Sequence, residues 1–331
     1  MSAAQPGTLR AQRIREILMR NAAVFVILIV IAVFAFANEN FLTPNNLLDI
    51  LRSIVVSALL ALAVTFSLVV NGFDVSIGST TSLATIVAAS MMIEFRQELP
   101  VAILVPILCG VAVGLVNGFL IVKLGLPDLL ATLAMLFVIS GVQRTITAGN
   151  SVTATPDSGI IVPSFSFIGR GTVLGVPFPV ILLAVVGVAA YLFLNKTTTG
   201  RYMYLVGGNE EAARHMGLPV GRLRVLAYVI SGALAALGGI VLTARIGSGQ
   251  IEAGAPLLMD AVAAAYVGYA LFGQKKPSVV GTLLGAVLIG ILLNGLTMMK
   301  FPYYAQDIVK GGVFIMALAF AFVRSKRRSH R

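Results

Sequence analysis

What most constrains this chain is a succession of ten apolar runs of roughly bilayer-crossing length, separated by short polar connectors. By hydropathy they fall at about 22–37, 46–70, 74–93, 99–122, 127–148, 177–194, 225–245, 257–272, 278–298 and 303–323. About 20 consecutive apolar residues cross the hydrocarbon core as a helix. A helix is favoured there because it satisfies every backbone N–H and C=O within its own segment. With 331 residues, 58% of them hydrophobic and 11% charged, against roughly a quarter charged in a soluble domain, no length remains for a sizeable soluble domain. The expected fold is all-α and polytopic, with about ten transmembrane helices. A basic tail at 1–21 precedes a membrane domain at 22–323, and a second basic tail occupies 324–331.

The net charge of +11 raises the question of nucleic acid, but in a polytopic protein the distribution of positive residues comes first. With the N-terminus inside, the inner connectors hold Arg10, Arg13, Arg15, Arg20, Lys123, Lys196, Arg201, Arg214, Arg222, Arg224, Lys275, Lys276, Arg324, Lys326, Arg327, Arg328 and Arg331. The outer side or its edge holds Arg52, Arg96, Arg144, Arg170, Arg245 and Lys300, while Lys310 lies within the last run. That bias of 17 to 6 fits an even span count with both termini cytoplasmic, and it explains the charge by orientation and contact with anionic lipid. No nucleic acid is required. The basic leader, the first apolar run and Ala35–Ala37 also resemble a cleavable signal peptide. The leader is long and all that follows is membrane-like, so an uncleaved first helix is expected.

Reactive chemistry is sparse. The single cysteine, Cys109, falls inside an apolar run, and His215 and His330 fall in charged segments where solvated histidines are ordinary. There is no G-x-x-x-x-G-K-[ST] phosphate loop, no H-E-x-x-H metal pair, no paired cysteines and no G-x-S-x-G elbow. No catalytic residue, metal site or cofactor is expected.

Two segments resemble each other. "GLVNGFLIVKLGLP" (Gly114 to Pro127) and "ILLNGLTMMKFP" (Ile291 to Pro302) each carry Asn-Gly, an apolar stretch, a lysine five residues after the glycine, and a proline soon after. They lie five spans apart and so run in opposite directions, as the halves of an inverted-repeat transporter do. The third run opens "NGFDVSIGSTTSLAT", Asn71 to Thr85, rich in small hydroxyl residues that either pack helices closely or line a watery path. Asp74 reads first as a cap at a helix start. Asn71, Asp74, Ser76 and Ser79, with Asn117 and Asn294 of the paired motifs, are the candidate lining of a translocation path. Asp260 lies near the start of its run, where an acid favours a helix N-terminus. "GSGQIEAGAP" (Gly247 to Pro256) reads as a turn, or else a gate or docking surface, and Gly149 to Val176 as an outer surface loop with a short re-entrant or interfacial piece.

The largest inner connector, 195–224, contains "GGNEEAARHMGL", Gly207 to Leu218. Between its glycines lies a short helix: Asn209 caps it, Glu210 and Glu211 occupy the first turn where the dipole favours anions, and Arg214 and His215 lie near its end. Gly217 then stops it. A helix this short is marginal alone in water, so it needs a docking surface, on its own protein or on a partner.

At these residues the chain resembles a known family. "TTTGRYMYLVGGNEEAARHMGL" (Thr197 to Leu218), "YVISGALAALGGI" (Tyr228 to Ile240), "NGFDVSIGS", "NGFLIVKLGLPDLLATLAML" (Asn117 to Leu136), "MDAVAAAYVGYALFG" and "VVGTLLGAVLIGILLNGL" are similar to the permease subunits of bacterial ABC importers for ribose, arabinose, xylose and related monosaccharides. The resemblance covers the chain from about Phe41 onward. It implies a bacterial inner-membrane permease with no catalysis of its own, a second permease copy (identical or paralogous), a cytosolic ATPase subunit and a periplasmic substrate-binding protein. It also implies that Gly208, Asn209, Glu210, Glu211, Ala212, Ala213, Arg214 and Gly217 form the coupling helix that sits in a cleft of the ATPase. One departure is that "VGYALFGQKK" places Tyr269 and Gln274 where the family has small residues, which bears on the particular sugar. Two other readings remain open: a permease of this architecture for a polyol or branched-chain amino acid, and a self-sufficient carrier driven by an ion gradient.

Overall fold

The computed structural model describes residues 22–271, 276–302 and 304–316. The terminal tails, with their basic residues, and Gln274 and Lys275 lie outside the described residues. Helices occupy each of the ten apolar runs. In chain order they are α1 (Ala22–Ala37), α2 (Pro44–Val69), α3 (Ile77–Ile93), α4 (Leu99–Val122) and α5 (Asp128–Ile146), then α6 (Pro163–Arg170) and a two-stranded hairpin. After these come α7 (Phe178–Lys196), α8 (Thr198–Gly208), α9 (Glu210–His215), α10 (Val220–Ile246), α11 (Ala255–Leu271) and α12 (Val279–Met298), and a last helix, α13, at 304–316. Six of them (α2, α4, α5, α7, α10 and α12) are long and apolar enough to cross a membrane. Phe25–Ala37, Ile77–Ile93 and Ala255–Ala270 are shorter apolar helices.

α2 and α10 form the buried centre and pack against each other. Around them the packing repeats: α10 packs on α3 and α4, and α2 packs on α11 and α12, while α3 pairs with α4 and α11 with α12. This is the exchange pattern expected of two inverted triplets, α2–α4 and α10–α12. The resembling motifs end alike as well, with Leu124 N–H bonded to Phe119 O and Phe301 N–H bonded to Leu296 O, each just past the matched Lys123 and Lys300. Apolar faces of α4, α5 and α7 point outward, with Leu104, Phe119, Phe137 and Val185 exposed, a composition that lipid accepts without cost.

Small residues set the closest approaches. Gly110 and Gly232 lie backbone to backbone across α4 and α10, each occupying the space of the other's Cβ, and Gly114 lies against the Tyr228 carbonyl. α11 and α12 do the same at Gly268 with Gly281 and at Ala264 with Gly285. In a membrane, where burial of apolar surface separates no helix from lipid, such van der Waals contact is what holds helices together.

The α3 hydroxyls are buried and partnered. Ser79, Thr80 and Ser82 return to carbonyls one turn back, and Thr81 donates to Ala235 O of α10 at 3.0 Å. Gly247–Gly254 is more than a turn: it runs back along α3, with Gly249 against Thr85 O and Gly254 against Gly78 O. Thr85 Oγ1 donates to Gln250 O at 3.0 Å, and Gly254 N–H donates to Ser82 Oγ at 2.9 Å. Non-helical backbone is tolerated inside a membrane protein when neighbouring side chains satisfy it, and that is the service of this hydroxyl series. The segment after α5 holds α6, seated on α10 through Gly169 beside Ala244 and Arg245, and the hairpin Thr172–Val173 with Val176–Pro177.

Candidate functional site

The ends of the helices sort into two faces, and one of them carries α8 and α9. The reason is local. Thr197 adopts an extended conformation after α7 and its hydroxyl accepts from Gly200 N–H at 3.0 Å, starting α8. Hydropathy missed α8, because it depends on tertiary contact: Met203 and Val206 are buried against the centre, and Gly207 lies against the Val69 carbonyl at the end of α2. Tyr204 donates its hydroxyl to Pro277 O at 2.9 Å, with Lys276 Nζ 5.4 Å from its ring centre. Burial pushes the Tyr204 hydroxyl up to about 12, so it remains a donor at neutral pH.

Asn209 joins the two short helices. Its N–H closes α8 on Leu205 O at 3.1 Å, while its extended backbone (φ −162°, ψ 102°) ends that helix and its Oδ1 accepts from Ala212 N–H at 2.9 Å to begin α9. At the far end Gly217 takes φ +74°, and Leu218 N–H returns to Ala213 O at 3.1 Å. Capping residue, acidic first turn, basic last turn and glycine stop all lie where the sequence places them. Removing the cap in Asn209→Ala will destabilise α9 by about 1 kcal/mol. Amide exchange across 210–216 will read this as about fivefold faster opening.

Ala213 is the buried residue of α9; Glu211, Ala212, Arg214 and Met216 face outward, and Gly208 borders open space. Beneath this exposed face runs a chain of charges. Glu210 pairs with Arg214 at 2.6 Å and with Arg224 at 3.2 Å; Arg224 pairs with Asp128 at 2.5 Å; Asp128 also accepts from the Tyr228 hydroxyl at 2.5 Å. The Arg224 and Asp128 side chains are each 17% exposed. The chain binds α9 to the start of α5 and the first turns of α10. Sequence reading placed Arg224 in the connector, whereas α10 begins at Val220, behind Pro219, and Arg224 is drawn onto it by its two acids. Neither Asp128 nor Tyr228 was singled out by sequence; an acid at the first position of an apolar run was the available signal.

The other candidate residues separate into groups. Asp74, Ser76 and Asn117 are brought together: Asp74 accepts from Ser76 Oγ at 2.6 Å and from Ser231 Oγ at 2.9 Å, and Asn117 donates to Ser76 Oγ at 2.9 Å. Asp74 precedes the α3 cap, Ser76, and links that helix start to α10. Ser79 donates to Ser76 O. Asn71 is exposed near the α9 face at φ 57°. Asn294 lies toward the opposite face, exchanging amide hydrogen bonds of 2.9 and 3.1 Å with Asn46. Asp260 is buried and paired with Lys310 at 3.0 Å, a tie between α11 and α13 that sequence reading took for a helix-end preference. Among the described residues no group of His, Cys, Asp and Glu is arranged to hold a metal ion.

Buried polar ties between apolar helices, close glycine contacts and a docked surface helix on one face define a multi-pass membrane permease. Residues 46–318 match the family model described as the branched-chain amino acid transport system / permease component, and the chain belongs to this family of transport permeases. It is 36% identical over 303 residues to the ribose import permease protein RbsC of Escherichia coli K12, covering 91% of this chain and 93% of that protein. It is 34% identical to RbsC of Bacillus subtilis, covering 89% of each. To the D-allose transport system permease protein AlsC of Escherichia coli it is 31% identical, covering 91% of each.

Proposed function

We propose that this chain is the non-catalytic membrane subunit of an ATP-driven monosaccharide importer, working as one of two permease copies beneath a periplasmic binding protein and above a cytosolic ATPase. The observation that carries this reading is α9: a capped, anchored helix whose outer face is exposed while its inner face is wired to α5 and α10 by Glu210, Arg224 and Asp128. A push on α9 is thereby delivered to two membrane helices. The 17 to 6 distribution of basic residues supports placing α9 and both termini on the cytoplasmic side of the inner membrane. Names of the aligned relatives, ribose and allose permeases, favour a sugar over the branched-chain amino acid in the family description.

Glu211→Lys and Gly208→Phe test the partner face, since Glu211 points outward and a side chain at Gly208 meets nothing within the protein. Both variants will insert and fold as wild type yet lose the ATPase on co-purification and import at least tenfold more slowly; normal import by both would reject the assignment. A protonophore applied at constant ATP separates energy sources. Continued uptake is expected, and collapse of uptake would favour an ion-driven carrier.

A further inference from the structure

On the face opposite α9 a cavity of about 660 Å³ opens between α2, α11 and α12, within the range that holds small molecules. Asp49, Arg170 and Arg245 stand at its mouth, and it descends along α2 as far as Ser57, eight residues or about 12 Å at 1.5 Å per residue. Ala264 and Ala286 line its deepest part. Just beyond, the way toward α9 is shut where α11 meets α12 backbone to backbone at Ala264 and Gly285, and where Thr65 and Thr282 share a 2.6 Å hydrogen bond between α2 and α12.

The lining carries polar capacity that the protein leaves unused. Arg52 Nε is buried with no acceptor, and the Ser57 hydroxyl and the Arg245 guanidinium have no partner among the described residues. A buried donor without a partner is costly, and a ligand that accepts from it removes the cost. The acids each face a cation, Asp49 at 3.5 Å from Arg52 and Asp260 at 3.0 Å from Lys310, while Asp260 Oδ1 accepts no hydrogen bond and is left for a donor. An ammonium group entering the cavity finds no uncompensated carboxylate. A hydroxyl group, both donor and acceptor, can take the free Arg52 and Ser57 groups and the spare carboxylate lone pairs together.

We infer that this cavity is a solute-holding site of the permease itself for a polyhydroxylated molecule of monosaccharide size, with Arg52 and Ser57 as its binding residues. The inference rests on the sugar-importer reading and adds that the membrane subunit receives the solute before the Thr65–Thr282 closure parts.

Cys109 is the chain's sole cysteine, so Ser57→Cys in a Cys109→Ala background gives a single reporter within the cavity. With the assembled importer in vesicles, a membrane-impermeant thiol reagent will label Cys at position 57. D-ribose or D-xylose at about ten times its Kd will slow labelling about tenfold, and L-leucine will not. Adding Arg52→Gln will abolish the protection without preventing labelling. Failure to label, no protection by either sugar, protection by leucine, or protection unchanged by Arg52→Gln would each overturn the site. Wild-type ATP-dependent import of the sugar, measured in parallel, keeps the two claims apart: its absence rejects the importer reading, and its presence without protection rejects the cavity alone.

Discussion

Arg224→Met will cost the permease about 3 kcal/mol or more of stability, because it strands the Asp128 carboxylate in a site where both side chains are 17% exposed and removes one of Glu210's two cations. Breaking a buried ion pair from one side leaves an uncompensated charge, and that penalty is typically larger than the net benefit of the intact pair. The second consequence is functional. With Arg224 gone, α9 retains its cap and its buried Ala213 but loses its electrostatic tie to α5 and α10. Import will fall well beyond what the loss of folded protein accounts for. The double variant Asp128→Asn with Arg224→Met separates the two effects. It will recover much of the stability, since no lone charge remains, and little of the transport, since the tie is still missing. Thermal unfolding in detergent and uptake by reconstituted importer, compared across wild type, Arg224→Met, Asp128→Asn and the double variant, measure the coupling energy.

Gly232→Val will act on the helix packing itself. A Cβ at this position occupies the space of the Gly110 carbonyl oxygen, and the reciprocal collision exists at Gly110, so neither helix can yield by turning a side chain. α4 and α10 must separate, forfeiting the contact that holds membrane helices together. Overpacking costs typically about 1–3 kcal/mol, and a backbone-to-backbone collision lies at the upper end of that range, so the protein is expected to elute as aggregate on size-exclusion chromatography. Gly141→Ala provides the contrast. Its Cβ meets nothing within 4 Å on the exposed side of α5, and replacing a helical glycine there will leave the unfolding temperature unchanged or raise it.

Which glycine is which could not be read from the chain. Gly232 and Gly141 both sit among apolar residues in a helical run, and only the rotation of each helix about its axis turns one toward a neighbour and the other toward lipid. The same limit governs the polar residues. Thr81, Ser82 and Thr85 were legible as members of a hydroxyl series, but whether they line water or seal backbone depends on what lies across from them, and in the fold Ala235, Gly254 and Gln250 do. The pairing of Asp128 with Arg224 joins residues 96 positions apart, and Asp260 finds Lys310 on a different helix. α9, by contrast, was legible almost residue by residue, since a cap, a dipole-matched first turn and a glycine stop act within one or two turns of chain.

The sequence by itself determined the ten helical runs, the uneven distribution of basic residues between their ends and the limits of α9. Each follows from short-range chemistry: a backbone in lipid must bond within its own segment, and end groups must be capped by their neighbours. Only the tertiary structure decided which glycines touch, which acid meets which base, and that a polar cavity opens between α2, α11 and α12 opposite the charged helix. Those outcomes depend on helix rotation and crossing, quantities set jointly by several distant segments and carried by no one of them alone.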